Sequence, residues 1–354
     1  MDKKIKIGSR YVGEGEKTFI VAEVSANHLQ DYGRAEAIIR AAKEAGADAV
    51  KLQTYTPDTI TLDCDNEYFQ ITQGTIWDGT TLHKLYQTAY TPWEWQPGLM
   101  KLAQELGMEC FSSPFDKTAV EFMGKMDMPA YKVASFEIND IPLIRTIARI
   151  GRPVIFATGI AYLEDIERAV RVCREEGNEQ IVLLKCTSTY PSPYEDMNLK
   201  VIPNMAEVFD CITGLSDHSM GTAAAVASVA LGAKMVEKHL ILSREDGGPD
   251  AAFSMEPAEF AQMVQEIRIV EKAVGKVTYE LTEKQVRSRE DGRSLFVVKD
   301  MKAGEEFTED NVRSIRPAFG LHTMYYEQIL GKTARNDIAK GTPLAWDHIA
   351  GSRA

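Results

Sequence analysis

The five cysteines, at positions 64, 110, 173, 186 and 211, form no C-x-x-C pair. Several sit in apolar runs, where a reduced thiol packs as a small hydrophobe. No apolar stretch approaches the roughly 18 residues that a membrane-spanning helix needs. No secretory leader is recognisable, and a reducing cytoplasm is the expected compartment. Positive charge is also short: 40 Lys and Arg stand against 52 Asp and Glu, a net charge of −12. That balance argues against a nucleic-acid or anionic-membrane partner, so any anionic substrate must be held by a local cluster of cations. Finally, no G-x-G-x-x-G follows the first apolar run, which counts against a dinucleotide-binding open sheet.

What is present is an ordinary globular composition, 354 residues with 44% hydrophobic and 26% charged. Short apolar runs at 19–24, 49–53, 109–113, 130–134, 154–158, 181–185, 211–215 and 234–238 alternate with helical patterns. Ala35, Ile38, Ile39 and Ala42 keep helical spacing, as do Leu163, Ile166 and Val170. Near-continuous apolar strands alternating with helices imply parallel pairing, buried on both faces. Eight of them in about 250 residues predict an α/β fold of the (β/α)8 TIM-barrel type, with a doubly wound sheet as the alternative. The segment from Tyr55 to Tyr90 is too long for a simple loop, and its Tyr68, Phe69, Trp77 and Asp78 suggest a lid or substrate-facing excursion.

A last helix is expected at about 257–274, closing a barrel domain over 1–280. The charged stretch that follows has no apolar periodicity and reads as a linker, 281–291. Beyond it, 292–354 has the texture of a small β-rich module. Ser294-Leu295-Phe296-Val297-Val298 reads as a strand and the stretch from Asp310 to Pro317 as a second, irregular one. Asp337-Ile338-Ala339-Lys340-Gly341 echoes Asp300-Met301-Lys302-Ala303-Gly304. A module of about 60 residues gains stability by docking on a partner surface.

In a barrel, chemistry gathers where strands end. Those ends carry Glu23, Ser25 and Asn27, Lys51 and Gln53, Ser112 and Ser113, Lys132 and Ser135, and Thr158. Further on they carry Lys185, Ser188 and Tyr190, Ser216 and His218, and His239. Lysines suit phosphate and carboxylate as point charges, and hydroxyls donate to the remaining oxygens. The implied ligand is small and multiply anionic. His218 and His239, 21 residues apart, end consecutive apolar runs; two imidazoles can hold a divalent ion with positions left open. Taken singly, each of these residues could equally be a structural polar group.

Six motifs, taken in order, resemble the sialic acid synthase family. They are Ile20-Val21-Ala22-Glu23, Lys51-Leu52-Gln53-Thr54, Ser113-Pro114-Phe115-Asp116, Tyr131-Lys132-Val133-Ala134-Ser135, Gly214-Leu215-Ser216-Asp217-His218 and Glu237-Lys238-His239. The tail resembles that family's antifreeze-like (SAF, β-clip) domain. Thr61-Leu62-Asp63-Cys64, Trp77-Asp78-Gly79 and Ala89-Tyr90-Thr91-Pro92-Trp93-Glu94-Trp95 look more like its pseudaminic acid branch than its sialic or legionaminic branches. The resemblance implies an enzyme that condenses phosphoenolpyruvate with an N-acylated aldose. It implies that Lys51, Ser113, Lys132, Ser135, Ser188 and Ser216 hold phosphoenolpyruvate. It further implies that His218 and His239 hold Mn²⁺ or Mg²⁺, a Lewis acid for the aldehyde, and that Glu23 stabilises the cationic centre or positions water. Gln53, Tyr190 and Asp250 are implied at the sugar, and Arg316 is implied to reach its N-acyl group from the partner subunit of a domain-swapped homodimer. Two departures stand out: Ala157 replaces the family's usual serine, and Ser188 stands where the sialic branch has an amide.

Two other readings remain at this point. One is a Schiff-base aldolase with Lys132 or Lys185 as nucleophile. The other is a non-catalytic binding protein whose tail binds ice or carbohydrate, against which Lys302, Glu305, Glu306 and Asp310 make too charged a surface.

Overall fold

The computed structural model describes residues 3–351. It divides into two units, Met1–Gly275 and Lys276–Ala354. The first opens with an antiparallel hairpin, β1 (Lys4–Ile7) and β2 (Arg10–Gly13). Eight parallel strands then close into a barrel: β3 (Phe19–Glu23), β4 (Ala49–Thr54), β5 (Glu109–Pro114), β6 (Tyr131–Val133), β7 (Val154–Ala157), β8 (Ile181–Cys186), β9 (Ile212–Asp217) and β10 (Met235–His239). Chain order is spatial order, with β10 pairing β3 to close the ring. The expected strands are met to within two residues.

Side chains alternate across each strand. Ile20, Val50, Leu52, Tyr131, Val154, Phe156 and Val236 point outward into the layer of surrounding helices. The other parity, Val21, Ala49, Phe111, Ile155, Val182, Leu184 and Met235, fills the barrel, joined from the hairpin by Ile5, Ile7 and Val12. Packed side chains therefore fill the interior near the strands' N-terminal ends, and the polar residues of the same parity stand toward their C-terminal ends.

The 55–90 excursion is folded. It has a short helix (Pro57–Ile60), a bridge between Gln70 and Thr81, and a two-turn helix (Leu82–Ala89) capped by Thr81. The last barrel helix spans Pro257–Val274.

The second unit has two features of its own. Its leading charged stretch is a helix, Glu283–Ser288, started by a Thr282/Gln285 capping box that needs no apolar stripe. The module also has its own core of ten residues, among them Leu295, Val297, Phe307, Val312, Ile338 and Leu344. Strands β11 (Ser294–Val297) and β12 (Val312–Ile315) pair antiparallel. The internal echo is reciprocal: Asp300 Oδ1 accepts from the Lys340 N–H at 2.8 Å and Asp337 Oδ1 from the Ala303 N–H at 2.9 Å. Met301 bridges Ile338 between them.

Candidate active site

Parity decides which strand-end residues meet. Glu23, Lys51, Gln53, Ser113, Lys132, Ser216, Glu237 and His239 share the inward parity, with His218 one step beyond β9. Ser112, Thr158 and Lys185 carry the opposite parity. Ser112 bonds Thr54 at 2.6 Å, Thr158 bonds the Leu184 carbonyl at 3.1 Å, and Lys185 turns to Cys186 and Thr187. The aldolase reading thus loses Lys185.

The inward groups open on a cavity of about 400 Å³. Lys51, Gln53, Lys132, Ser135, Ser216, Tyr190, His218, His239 and Asp250 line it. Glu23 and Ser113, buried beside Lys51, and half-buried Ser188, beside Cys186, are not part of its lining. Lys51 Nζ lies 2.5 Å from Glu23 Oε2, 3.2 Å from Glu237 Oε1 and 3.4 Å from Ser113 Oγ. Lys132 Nζ reaches the same Glu237 Oε1 at 2.7 Å, and Ser216 Oγ donates to it at 3.1 Å. Burial and its charged neighbour Glu237 push the Glu23 carboxyl up to about 7, against the pull of Lys51. Glu237, between two ammonium groups, is held far below the usual carboxylate range despite its burial. Burial also pulls the Lys132 ammonium down. The floor is therefore a buried quartet of two lysines and two carboxylates.

Ser135 Oγ accepts from the Gly159 N–H at 3.1 Å. A Cβ at Gly159 would lie 2.1 Å from Ser188 Oγ and 2.8 Å from Ser135 Oγ, so only glycine permits this hydroxyl cluster. Ala157 lines the cavity beside it.

The two imidazoles lie with centroids 5.2 Å apart, packed against Phe253. His218 Nδ1 is fixed by the Thr187 carbonyl at 3.2 Å, which leaves Nε2 available. His239 Nδ1 is buried with no hydrogen-bond partner and lies 3.9 Å from Asp250 Oδ2. Burial, His218 and Lys51 hold His239 well below the usual imidazole range, as a neutral donor. Behind them Lys238 and Asp217, the sequence neighbours of the histidines, form a buried 2.7 Å pair that ties β10 to the end of β9. Two imidazole donors, one with an unsatisfied nitrogen, fit a divalent ion that keeps most positions for water and substrate. Among the described residues no group of three or more His, Cys, Asp or Glu side chains is suited to a metal.

Ser25 Oγ donates to Asp250 Oδ2 at 2.5 Å and accepts from Gln53 Nε2 at 2.9 Å. Tyr190 packs at 4.5 Å from His218 and 5.4 Å from Trp77. Of the excursion's aromatics, Trp77 lines the cavity, whereas Tyr68 is 80% exposed and Phe69 takes no part in the lining. Arg316 belongs to the second unit, exposed just after β12. Sequence reasoning missed two carboxylates. Glu237 stood inside a quoted motif and its inward parity would have flagged it. Glu137, a cavity-lining residue, has a buried Oε2 without a partner and is pushed up to about 7 by burial; no local pattern signals it.

A closed parallel barrel whose strand ends gather lysines, carboxylates and imidazoles into one cavity has the architecture of an enzyme acting on a small polar substrate. The family model described as NeuB family matches residues 38–279, and that of the SAF domain matches 292–350. The chain belongs to the NeuB family, a family of phosphoenolpyruvate-using condensing enzymes. It is 48% identical over 329 residues to a pseudaminic acid synthase of Campylobacter jejuni, covering 93% of this chain and 96% of that protein. It is 44% identical over 331 residues to one of Helicobacter pylori, covering 93% and 97%. The crystal structure of an N-acetylneuraminic acid synthetase from Leptospira borgpetersenii, in complex with citrate, superimposes with a TM-score of 0.72. It is 28% identical and covers 81% of this chain and 95% of that one.

Proposed function

We propose that the chain is a pseudaminic acid synthase. It condenses phosphoenolpyruvate with 2,4-diacetamido-2,4,6-trideoxy-L-altrose and water, giving pseudaminic acid and phosphate. The observation that carries this reading is the bridged lysine pair, Lys51 and Lys132 on one carboxylate oxygen, beside two imidazoles in one cavity. Two relatives of that name, at 48% and 44% identity, support the choice of sugar.

In this reading Lys51 and Lys132 exchange part of their contact with Glu237 for the phosphate and carboxylate of phosphoenolpyruvate. Ser113, Ser135, Ser188 and Ser216 supply hydroxyl donors around it. Gln53, Tyr190 and Asp250 orient the sugar so that its C1 meets C3 of phosphoenolpyruvate. As that bond forms, positive character develops at C2, and Glu23, buried behind Lys51, stabilises it until water adds there and phosphate leaves. His218 and His239 would hold Mn²⁺ or Mg²⁺, which supplies Lewis-acid polarisation of the aldehyde oxygen.

The proposal extends to organisation: a barrel over 1–280, a connecting segment over 281–291 and a SAF domain over 292–354. In a domain-swapped homodimer, Arg316 hydrogen-bonds the N-acyl oxygen in the partner's cavity. No described helix is long and apolar enough to cross a membrane, and we place the enzyme in the cytoplasm.

The test is phosphate release from phosphoenolpyruvate across a panel of N-acylated aldoses. The 2,4-diacetamido-2,4,6-trideoxy-altrose should turn over fastest. Faster turnover of N-acetylmannosamine, or of the sugar leading to legionaminic acid, would replace this assignment by a sialic or legionaminic synthase.

A further inference from the structure

The cavity is polarised. Its floor and one flank carry Lys51, Lys132, Glu237, Asp250 and the histidines, while the 55–90 excursion forms an opposite wall of different chemistry. Leu82, Leu85, Tyr86 and Ala89 fall at positions i, i+3, i+4 and i+7 of the helix Leu82–Ala89, and all four face the cavity. Ile60, Ile71 and Trp77 extend this surface, and Gln73 and Thr75 are the uncharged polar residues that the excursion adds to the lining. The rings of Tyr86 and Phe115 stand edge-on to buried Tyr55, at 5.5 and 5.1 Å. The excursion carries six acidic or basic residues, Asp58, Asp63, Asp65, Glu67, Asp78 and Lys84, yet none lines the cavity. The wall is anchored from outside, where His83 on the helix's other face bonds Asp58 at 2.9 Å. Trp77 Nε1 donates to the Pro249 carbonyl at 2.9 Å and pins the loop over the mouth.

Resting on the pseudaminic acid reading, we propose that this wall is a specificity subsite for the methyl-bearing end of the sugar. It receives the 6-deoxy carbon and the methyl of the C4 acetamido group of a diacetamido-trideoxyhexose. The reacting C1 has to lie over the charged floor, so the far end of the sugar extends along the wall. A methyl at C6 buries there without loss. A hydroxyl at the same place gives up its hydration for aliphatic and aromatic neighbours, and pays for it in binding. An apolar surface rejects an added hydroxyl by roughly 10- to 100-fold, which sets the size of the effect.

The experiment compares kcat/KM for two matched sugars, 2,4-diacetamido-2,4,6-trideoxy-L-altrose and its 6-hydroxy counterpart, by phosphate release. The wild type should prefer the 6-deoxy sugar by about 10- to 100-fold. Leu85→Asn and Ile71→Thr should each shrink that ratio at least about fivefold. Leu85→Ala, which leaves no new polar group, keeps the test open if Leu85→Asn does not fold, and should shrink the ratio by a smaller factor. Tyr68→Ala, outside the cavity, should leave the ratio unchanged. A ratio within twofold of wild type in folded Leu85 and Ile71 variants would overturn the subsite while the synthase reading stands. Turnover of N-acetylmannosamine alone, with neither diacetamido sugar used, would overturn both.

Discussion

Replacing Gly159 by alanine tests the organisation of the hydroxyl cluster with a single methyl group. The new Cβ would lie 2.1 Å from Ser188 Oγ, whereas real Cβ contacts essentially never fall below 3.0 Å. Ser188 Oγ must therefore retreat by about 0.9 Å, the difference between those two distances. A hydroxyl donating at roughly 2.8 Å to an anionic oxygen would then stand near 3.7 Å, beyond hydrogen-bond range. A hydrogen bond to a charged group is worth about 1.5–3 kcal/mol, so kcat/KM for phosphoenolpyruvate should fall about 10- to 150-fold. Because a serine side chain relieves the overlap by rotating, the fold should lose less than about 2 kcal/mol. Phosphate release at saturating sugar and varied phosphoenolpyruvate reads the first quantity, and thermal melting reads the second. Adding Gly159→Ala to Ser188→Ala should cost less than adding it to wild type, since the 2.1 Å approach is gone and those to Ser135 Oγ at 2.8 Å and Cys186 Sγ at 3.1 Å are left. Wild-type kcat/KM in Gly159→Ala, or full additivity in the double variant, would refute the reasoning.

Three further outcomes are expected. His218→Ala and His239→Ala should each abolish turnover with circular dichroism unchanged, and chelator should silence the wild type until Mn²⁺ or Mg²⁺ is restored; undiminished turnover in excess EDTA would remove the metal. Lys51→Ala and Arg316→Ala, each inactive alone, should regain partial activity when mixed and refolded, because one site of the hybrid dimer has both residues; no recovery in proven hybrids would place Arg316 in its own chain's site or in none. The Glu137 carboxyl is raised from 4.5 to about 7 when folded, so the protonated form is favoured in the native state and stability declines as pH climbs between those values. Glu137→Gln should remove that decline, worth at most about 3 kcal/mol, so its melting advantage over wild type should grow from pH 4.5 to 7.5; parallel melting curves across that range would show the carboxyl to be unperturbed.

The barrel was legible because parallel strands buried on both faces leave nearly unbroken apolar runs, and eight such runs have few ways to pack. Parity was equally available: Lys185 falls in step with outward Ile181 and Leu183, which is enough to take it out of the site. Reading strand ends as one converging set ignored that, and so admitted Ser112 and Thr158. Of the excursion's aromatics, Trp77 lines the cavity but Tyr68 and Phe69 do not. Tyr68 is large and lies in a loop, where no periodicity reports which way a side chain faces, and it points to solvent. The informative signal was the quieter Leu82, Leu85, Tyr86, Ala89 spacing, a helical stripe within the substrate-facing excursion.

Parity gives the members of the quartet at the floor but not which of them pair, for a reason that lies in closure. Lys132 on β6 and Glu237 on β10 are four strands apart whichever way one goes round the ring, so they face each other across its full width. No ladder, turn or helical repeat relates them, and 105 residues separate them in sequence. Only shutting the eighth strand onto the first brings the ammonium within 2.7 Å of the carboxylate. Buried charges of this kind are strongly destabilising when left unpaired, by about 3–5 kcal/mol for a broken pair. A barrel that closed in another register would leave Lys51, Lys132, Glu23 and Glu237 without their partners. The same four groups that we propose as the local anion site of a chain of net charge −12 therefore also disfavour any closure that leaves them unpaired.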